Sequence, residues 1–198
     1  MSAISTVCVT KGALLPGGKV NAPTFRAVAP GTSGNDVGID FVYEGRSTNA
    51  RALASGQIRR QVGLKLRAAD GCNLVYVMWR LDPRPRIEVS TKMNPGSRTH
   101  AQCGTRGYAK VSPSHEARIP SLVGGGSHWM YAQIVRDDLY TWIDGQLVWR
   151  GRLPQEARYL AGPSGIRSDN VAYSIRTLWA APGQTGAGVP RCLTDSED

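Results

Sequence analysis

The sequence predicts an all-β protein built as two packed antiparallel sheets, with very little helix. Three observations predict it. Between Gly126 and Gly151 (GSHWMYAQIVRDDLYTWIDGQLVWRG) apolar residues recur at alternate positions in three successive runs, the period of strands with one buried face. Asp144-Gly145 separates the last two runs, and Asp-Gly is the strongest short hairpin signal because both residues tolerate positive φ. Further short alternating stretches lie on either side, parted by Gly, Pro, Asn and Asp. Ribbons that are apolar on one face bury that face against a second sheet.

Residues 1–36 are rich in Gly, Pro, Ser and Thr. They read as turn material (LLPGGK, APGTSGND) apart from an edge strand over 5–10. Residues 37–43 (VGIDFVY) place Val37, Ile39, Phe41 and Tyr43 on one face, as a core strand does. Residues 44–57 are expected to be a loop or a single helical turn. Over 61–68 (QVGLKLRA), Val62, Leu64 and Leu66 face inward while Lys65 and Arg67 face outward. The turn Ala69-Asp70-Gly71 leads into 72–81 (CNLVYVMWRL), a strongly apolar central strand. After Asp82-Pro83-Arg84-Pro85, residues 86–93 set Ile87, Val89, Thr91 and Met93 against Glu88, Ser90 and Lys92.

Residues 97–125 are irregular except for a short strand over 108–111, and a loop of this length is usually functional or mobile. In the meander that follows, Met130, Ala132 and Ile134 point inward and Trp129, Tyr131 and Gln133 outward. Leu139, Thr141 and Ile143 point inward and Tyr140 and Trp142 outward. Leu147 and Trp149 continue the pattern on the third run. Residues 154–160 suit a short helix. Val171, Tyr173, Ile175 and Thr177 then alternate, with Trp179 continuing their face. The Gly-rich, acidic tail is expected to be only partly ordered. The 198 residues make one sandwich domain, with a core from about residue 37 to 180.

The net charge of +9 is unevenly placed. Residues 46–118 hold fourteen Lys/Arg against Asp70, Asp82, Glu88 and Glu116, so the rest is close to neutral. This local excess fits an anionic partner such as an acidic polysaccharide or nucleic acid, or simply a solvated basic face. No apolar run reaches the roughly 18 residues of a membrane span. The opening MSAISTVCVTKGALL has no basic start leading into a long apolar stretch, so it does not read as a secretory signal. Four cysteines, Cys8, Cys72, Cys103 and Cys192, lack zinc-site spacing. Pairing Cys8 with Cys192 and Cys72 with Cys103 suits a sandwich whose terminal strands are neighbours, and buried free thiols suit a chain with no export signal.

The stretch HWMYAQIVRDDLYTWIDGQLVWRG resembles the strand–turn–strand signature of concanavalin-like jelly rolls, particularly the laminin-G-like group. The matching positions are Trp129, Arg136-Asp137, Ile143 and Asp144-Gly145. GPSGIRSDNVAYSI is similar to the last strand of that fold, with Gly165-Ile166, a polar loop and then a core strand. The resemblance implies a jelly-roll topology, a polysaccharide or glycan partner and an extracellular or cell-surface role. It leaves binder and enzyme open.

Glycoside hydrolysis in this fold uses an ExDxxE strand, which is absent here. A polysaccharide lyase needs a carboxylate neutraliser and a Tyr or His proton mover. Arg67, Arg80, Lys92, His100, Arg106, Tyr108, His128, Tyr131 and Gln133 are of the right types, but the Gln-Ile-His string of the lyase branch becomes Gln57-Ile58-Arg59 and Gln133-Ile134-Val135. A binding face asks less: aromatic rings stack on pyranoses, and Arg or Lys holds acidic groups. The residues expected to form it are Trp129, Tyr131, Gln133, Tyr140 and Trp142, joined by Arg67, Tyr76, Arg80 and Lys92 where strand register brings them to the same face. Calcium is common in the fold, yet Asp36, Asp40, Asp144 and Asp169 form no DxDxDG string, so no cofactor is assigned. The expectation is a non-catalytic, lectin-like sandwich, with a lyase of the same fold and a coat or assembly subunit as alternatives. Oligomeric state is open.

Overall fold

The computed structural model describes residues 1–53 and 55–183. In chain order the strands are β1 (Ser2–Ala3), β2 (Cys8–Lys11), β3 (Lys19–Ala29), β4 (Asp36–Arg46), β5 (Gln61–Leu66), β6 (Leu74–Arg80) and β7 (Arg86–Lys92). They continue with β8 (Tyr108–Lys110), β9 (His115–Glu116), β10 (Ser127–Val135), β11 (Asp138–Ile143), β12 (Gln146–Arg152) and β13 (Ser164–Ala180). Helical structure among the described residues is confined to α1 (His100–Cys103) and two 3₁₀ turns, Pro16–Gly18 and Gln155–Tyr159.

The strands follow one hydrogen-bonded path, β8-β7-β6-β5-β13-β4-β10-β11-β12-β9, with every pairing antiparallel. The path folds over at β13. Its first part, through Asp169, lies between β5 and β3, and its second part, from Val171, pairs with β4. This gives a first sheet of β8, β7, β6, β5, the start of β13, β3 and β2, and a second of β9, β12, β11, β10, β4 and the rest of β13, to which the head of β3 (residues 19–22) stays paired beyond the crossover. Asn170 sits at the crossover with φ of 56°, a left-handed conformation that Asn tolerates well. Its side chain accepts from the Arg51 N–H (2.8 Å) and donates to the carbonyls of Arg51 and Arg59 (2.9 Å each), tying the crossover to the preceding loop.

The inner faces meet in one apolar core. Val62, Leu64 and Leu66 of β5 and Val75, Val77 and Trp79 of β6 come from the first sheet; Val37, Ile39 and Phe41 of β4 and Met130, Ala132 and Ile134 of β10 come from the second. Trp79 and Trp149 are both fully enclosed, and each large apolar side chain so buried stabilises the fold by roughly 1.5–3 kcal/mol. Phe41 meets Trp79 and Tyr173 edge-on at 6.2 and 5.9 Å between ring centroids, a favoured aromatic geometry. The β11–β12 turn has both Asp144 (φ 48°) and Gly145 (φ 88°) at positive φ, as its sequence predicts.

The expected strands are present, with four corrections. Residues 19–29 form a full strand, and its Val20, Phe25 and Ala27 extend the core upstream of residue 37. Pro23 and weak alternation at Ala22 and Thr24 hide it in the sequence. The edge strand expected over 5–10 is Cys8–Lys11. The supposed polar loop after Ile166 is strand, because Arg167 and Asp169 satisfy each other's charge on its outer side. Finally, a register shift between Ile175 and Thr177 moves Trp179 to the outside and puts Leu178 and Ala180 in the core. Cys72 and Cys103 form a disulfide; the suggested partner of Cys8, Cys192, lies outside the described residues, as does most of the tail.

Candidate functional site

The outer face of the second sheet carries an aromatic row. Strand register sets Trp179 of β13 opposite Gly38 of β4, Gly38 opposite Tyr131 of β10, and Tyr131 opposite Trp142 of β11. Three interstrand spacings make this row about 14 Å long. Tyr131 and Trp142 lie 5.4 Å apart, Trp142 and Tyr140 stack at 5.9 Å, and the Arg150 guanidinium sits 5.1 Å from the Tyr140 ring. Trp129, Tyr131, Gln133, Tyr140, Trp142 and Trp179 are all half-buried, so their rings are supported from beneath and open above. Gln133 stands between Asp36 and Tyr140 at one side of the row, and Trp129 opposite Asp40 at the other. Asp144 accepts from the Trp129 N–H at 2.9 Å and pairs with His128 Nδ1 at 2.7 Å, fixing that end of β10 to the β11–β12 turn.

Five of the nine residues expected from sequence therefore come together: Trp129, Tyr131, Gln133, Tyr140 and Trp142. The other four do not join them. Tyr76, Arg80 and Lys92 belong to β6 and β7 and project from the first sheet, on the opposite side of the sandwich. Arg67, at the end of β5 with φ of 48°, is a brace whose Nε donates to Asn35 Oδ1 (2.8 Å) and Nη1 to the Ala157 carbonyl (2.9 Å). Alternation gives the parity of a side chain within its strand, not which sheet the strand joins.

Trp179 and Gly38 escape the sequence reading. Gly38 is the detectable signal: a glycine at an outward position of an otherwise apolar strand marks close approach of another group. A Cβ there would lie 2.3–2.5 Å from the Trp179 indole. Gly38→Ala is therefore expected to lever the indole off the row and weaken ligand binding about as much as Trp179→Ala. Because the indole can swing outward, unfolding stability should change by less than about 1 kcal/mol; parallel titration and urea melts check this.

The outer face of the first sheet is largely buried, with Ala68, Leu74, Tyr76 and Met78 forming a second apolar cluster beside buried charges. Tyr76 stacks on Tyr108 at 6.1 Å, Arg167 covers Tyr76 at 4.9 Å and Lys92 lies 5.1 Å from the Tyr108 ring. Lys65 and Lys92 are almost wholly buried there, and Lys92 Nζ donates to the Gly71 carbonyl at 3.0 Å. Asp169 accepts from Arg167 Nε (3.0 Å), Gln61 Nε2 (2.5 Å) and Thr24 Oγ1 (3.2 Å). Burial acts to lower the Arg167 pKa, but the Asp169 charge outweighs it and the group is held charged. Burial likewise acts to raise the Glu88 carboxyl, and Arg80, Lys110 and Arg86 overcome it, so Glu88 titrates below its ordinary range.

Burial, with a smaller contribution from Asp36, pushes the Tyr131 phenol up to about 12. At neutral pH it stays protonated, so it can donate a hydrogen bond but is a poor general base. His128 faces inward, 5.5 Å from Trp79 and tilted against Phe41 at 6.4 Å. Asp36, Asp40, Asp144 and Asp169 occupy separate places, and no three His, Cys, Asp or Glu side chains converge among the described residues.

No protein-family model matches the sequence, and no curated protein does. Solved structures do match. The carbohydrate-binding module CBM66 from Bacillus subtilis superposes with a TM-score of 0.59 at 11% identity, covering 90% of this chain and 96% of the module. A tetrameric galectin from the sponge Cinachyrella sp. gives 0.49 at 12% identity over 80% of this chain and 99% of its own. The chicken-liver agglutinin CG-16 gives 0.45 at 8% identity over 79% and 98%. At 11% identity the likeness to the module is one of fold alone, that of a jelly-roll β-sandwich.

Proposed function

We propose that the chain is a non-catalytic, lectin-like carbohydrate-binding protein whose second sheet holds a polysaccharide on its outer face. The observation that carries this is the half-exposed row Trp179–Tyr131–Trp142–Tyr140, ended by Arg150. Flat rings spaced along a sheet offer stacking surfaces to successive sugar rings, while Gln133, the Tyr131 hydroxyl and Arg150 supply directional contacts. The likeness in fold to the carbohydrate-binding module CBM66 supports the same reading. The Cys72–Cys103 disulfide supports an oxidising location such as the cell exterior.

A lyase on this face has less support, since its tyrosine is a poor base near neutrality and its histidine is turned into the sandwich. A coat or assembly role predicts large uniform particles in light scattering. The deciding experiment is a glycan array followed by calorimetric titration of the best ligand. Tyr131→Ala, Trp142→Ala and Trp179→Ala are each expected to lower affinity about tenfold, the loss of one stacked ring, with the fold intact by circular dichroism. Unchanged affinity in all three rejects the face, and a blank array rejects the function.

A further inference from the structure

We propose, resting on the lectin-like reading of this face, that the aromatic row holds the interior of a linear, uncharged polysaccharide and rejects acidic ones. The basic excess of the chain does not reach the row. Of the fourteen Lys/Arg between residues 46 and 118, only Arg46 belongs to a strand of the second sheet. The β4–β13 ladder has Arg46 at one end and the Gly38–Trp179 pair at the other. The ionised groups that border the row are matched instead. Asp138 is shared by Arg150 at 3.5 Å and Arg152 at 3.4 Å. Asp40 accepts from the Ser127 hydroxyl at 3.4 Å, and that hydroxyl accepts from Arg176 Nη1 at 3.2 Å. Asp36 accepts from the Ser33 hydroxyl at 3.2 Å and the Ala181 N–H at 2.8 Å. These three carboxylates stand against three guanidinium groups, so the local field has no net positive sign to draw a polyanion. At the Trp179 end it is repulsive. Asp36 and Asp40 flank Gly38 on β4, each about 7 Å from it along the strand. A carboxylate or sulfate carried over Trp179 would meet both. The charge of Asp36 is already felt on the row, since it adds to the burial that holds the Tyr131 phenol protonated.

The shape of the row suits the middle of a chain. A Cβ on Gly38 would be almost equidistant, at 2.3–2.5 Å, from Cε2, Cζ2 and Nε1 of Trp179. The indole therefore lies with one face on the strand and turns the other outward as a platform. At the far side of Trp142, half-buried Leu147 of β12 continues the line. Trp179 to Leu147 then crosses four interstrand spacings, about 19 Å. A pyranose in an extended chain is about 5 Å long, close to one such spacing, so roughly four successive units would lie on the row. At either edge the sheet ends in a two-residue strand with exposed side chains, Ser2 and Ala3 of β1 beside Trp179, and His115 and Glu116 of β9 beside β12. A platform that runs out at both edges accepts a chain passing across it, whereas a pocket closed at one end accepts a terminus.

The full chain is titrated calorimetrically, at about 0.15 M salt, with hexasaccharides of uncharged linear glucans, xylan, mannan and galactan and with those of glucuronate, mannuronate and galacturonate. The best uncharged ligand is expected to bind about tenfold or more tightly than the best acidic one, and its affinity should change less than about twofold between about 0.05 and about 0.5 M salt. Asp40→Asn should narrow the gap between an uncharged ligand and its uronate counterpart by about threefold. Affinity should rise with length up to about four units and then level off, and each chain of the parent polymer should take up several protein molecules. Acidic hexasaccharides that bind as tightly as uncharged ones and lose affinity in Trp142→Ala, or a polymer that takes up one protein molecule per chain, would overturn the proposal and leave the lectin-like reading standing. No binding to any of these ligands would overturn both.

Discussion

Asp169→Ala is expected to destabilise the protein by about 3–5 kcal/mol, the usual cost of removing one partner from a buried ion pair. Asp169 is wholly enclosed and Arg167 is 9% exposed. The carboxylate gathers donors from three neighbouring strands: Arg167 on β13, Gln61 on β5 and Thr24 on β3. Alanine would leave the Arg167 charge in a low-dielectric site with the Tyr76 ring as its remaining neighbour among these contacts, and would strip the Gln61 amide of an acceptor. It would also loosen the strand that joins the two sheets, one residue before the Asn170 crossover. For a domain of this size the melting temperature should fall by roughly 10 °C. Arg167→Met combined with Asp169→Leu should recover most of the loss, since an apolar pair carries no desolvation penalty. A urea melt in which Asp169→Ala costs under about 1 kcal/mol would show that the pair does not hold the sheet.

The same crossover shows where sequence reasoning stops. The first two runs of the meander were legible down to single side chains, inward Met130, Ala132 and Ile134 and outward Trp129, Tyr131 and Gln133 standing as alternation places them, whereas in the third a register shift sets Leu147 opposite outward Trp142 and buries Val148 instead. A sheet with one face buried fixes parity through the hydrophobic effect, and parity is written in the sequence. Sheet membership is not, because it depends on pairings between distant residues. Tyr76 and Tyr131 both read as outward aromatics, yet β13 passes between their strands and folds the path over, so they face opposite directions. Arg167-Ser168-Asp169 looks like a loop because its polar groups satisfy one another only after β5 and β3 arrive. Trp179 looks like core because a single inserted residue before Thr177 reverses the faces beyond it, and bulges of this kind leave no periodic trace.

Breaking the Cys72–Cys103 bridge should cost about 3–4 kcal/mol, because the bond closes a loop with a sequence separation of 31 and its loss returns that freedom to the unfolded chain. In the folded state the bond ties α1 to the head of β6, where side chains already hold the backbone. The Asn73 Oδ1 accepts from the Asn94 N–H at 2.8 Å, and Asn94 Nδ2 donates to the carbonyls of Cys72 and Arg106. Gln102 closes a capping box with Thr99. These contacts are local and partly exposed, so they would keep the loop near its place but not rigid. Cys72→Ser with Cys103→Ser, compared with the wild type under non-reducing conditions, should show a melting temperature lowered by roughly 10 °C and a larger urea m-value, the sign of a more expanded unfolded state. Tyr108 follows the bridge by five residues and rests on Tyr76, so the β8 edge of the first sheet should loosen as well. Ligand affinity at the aromatic row, on the other sheet, should hold. A stability loss below about 1 kcal/mol with an unchanged m-value would mean that the enclosed segment stays compact in the unfolded chain and that the bridge adds little to the fold.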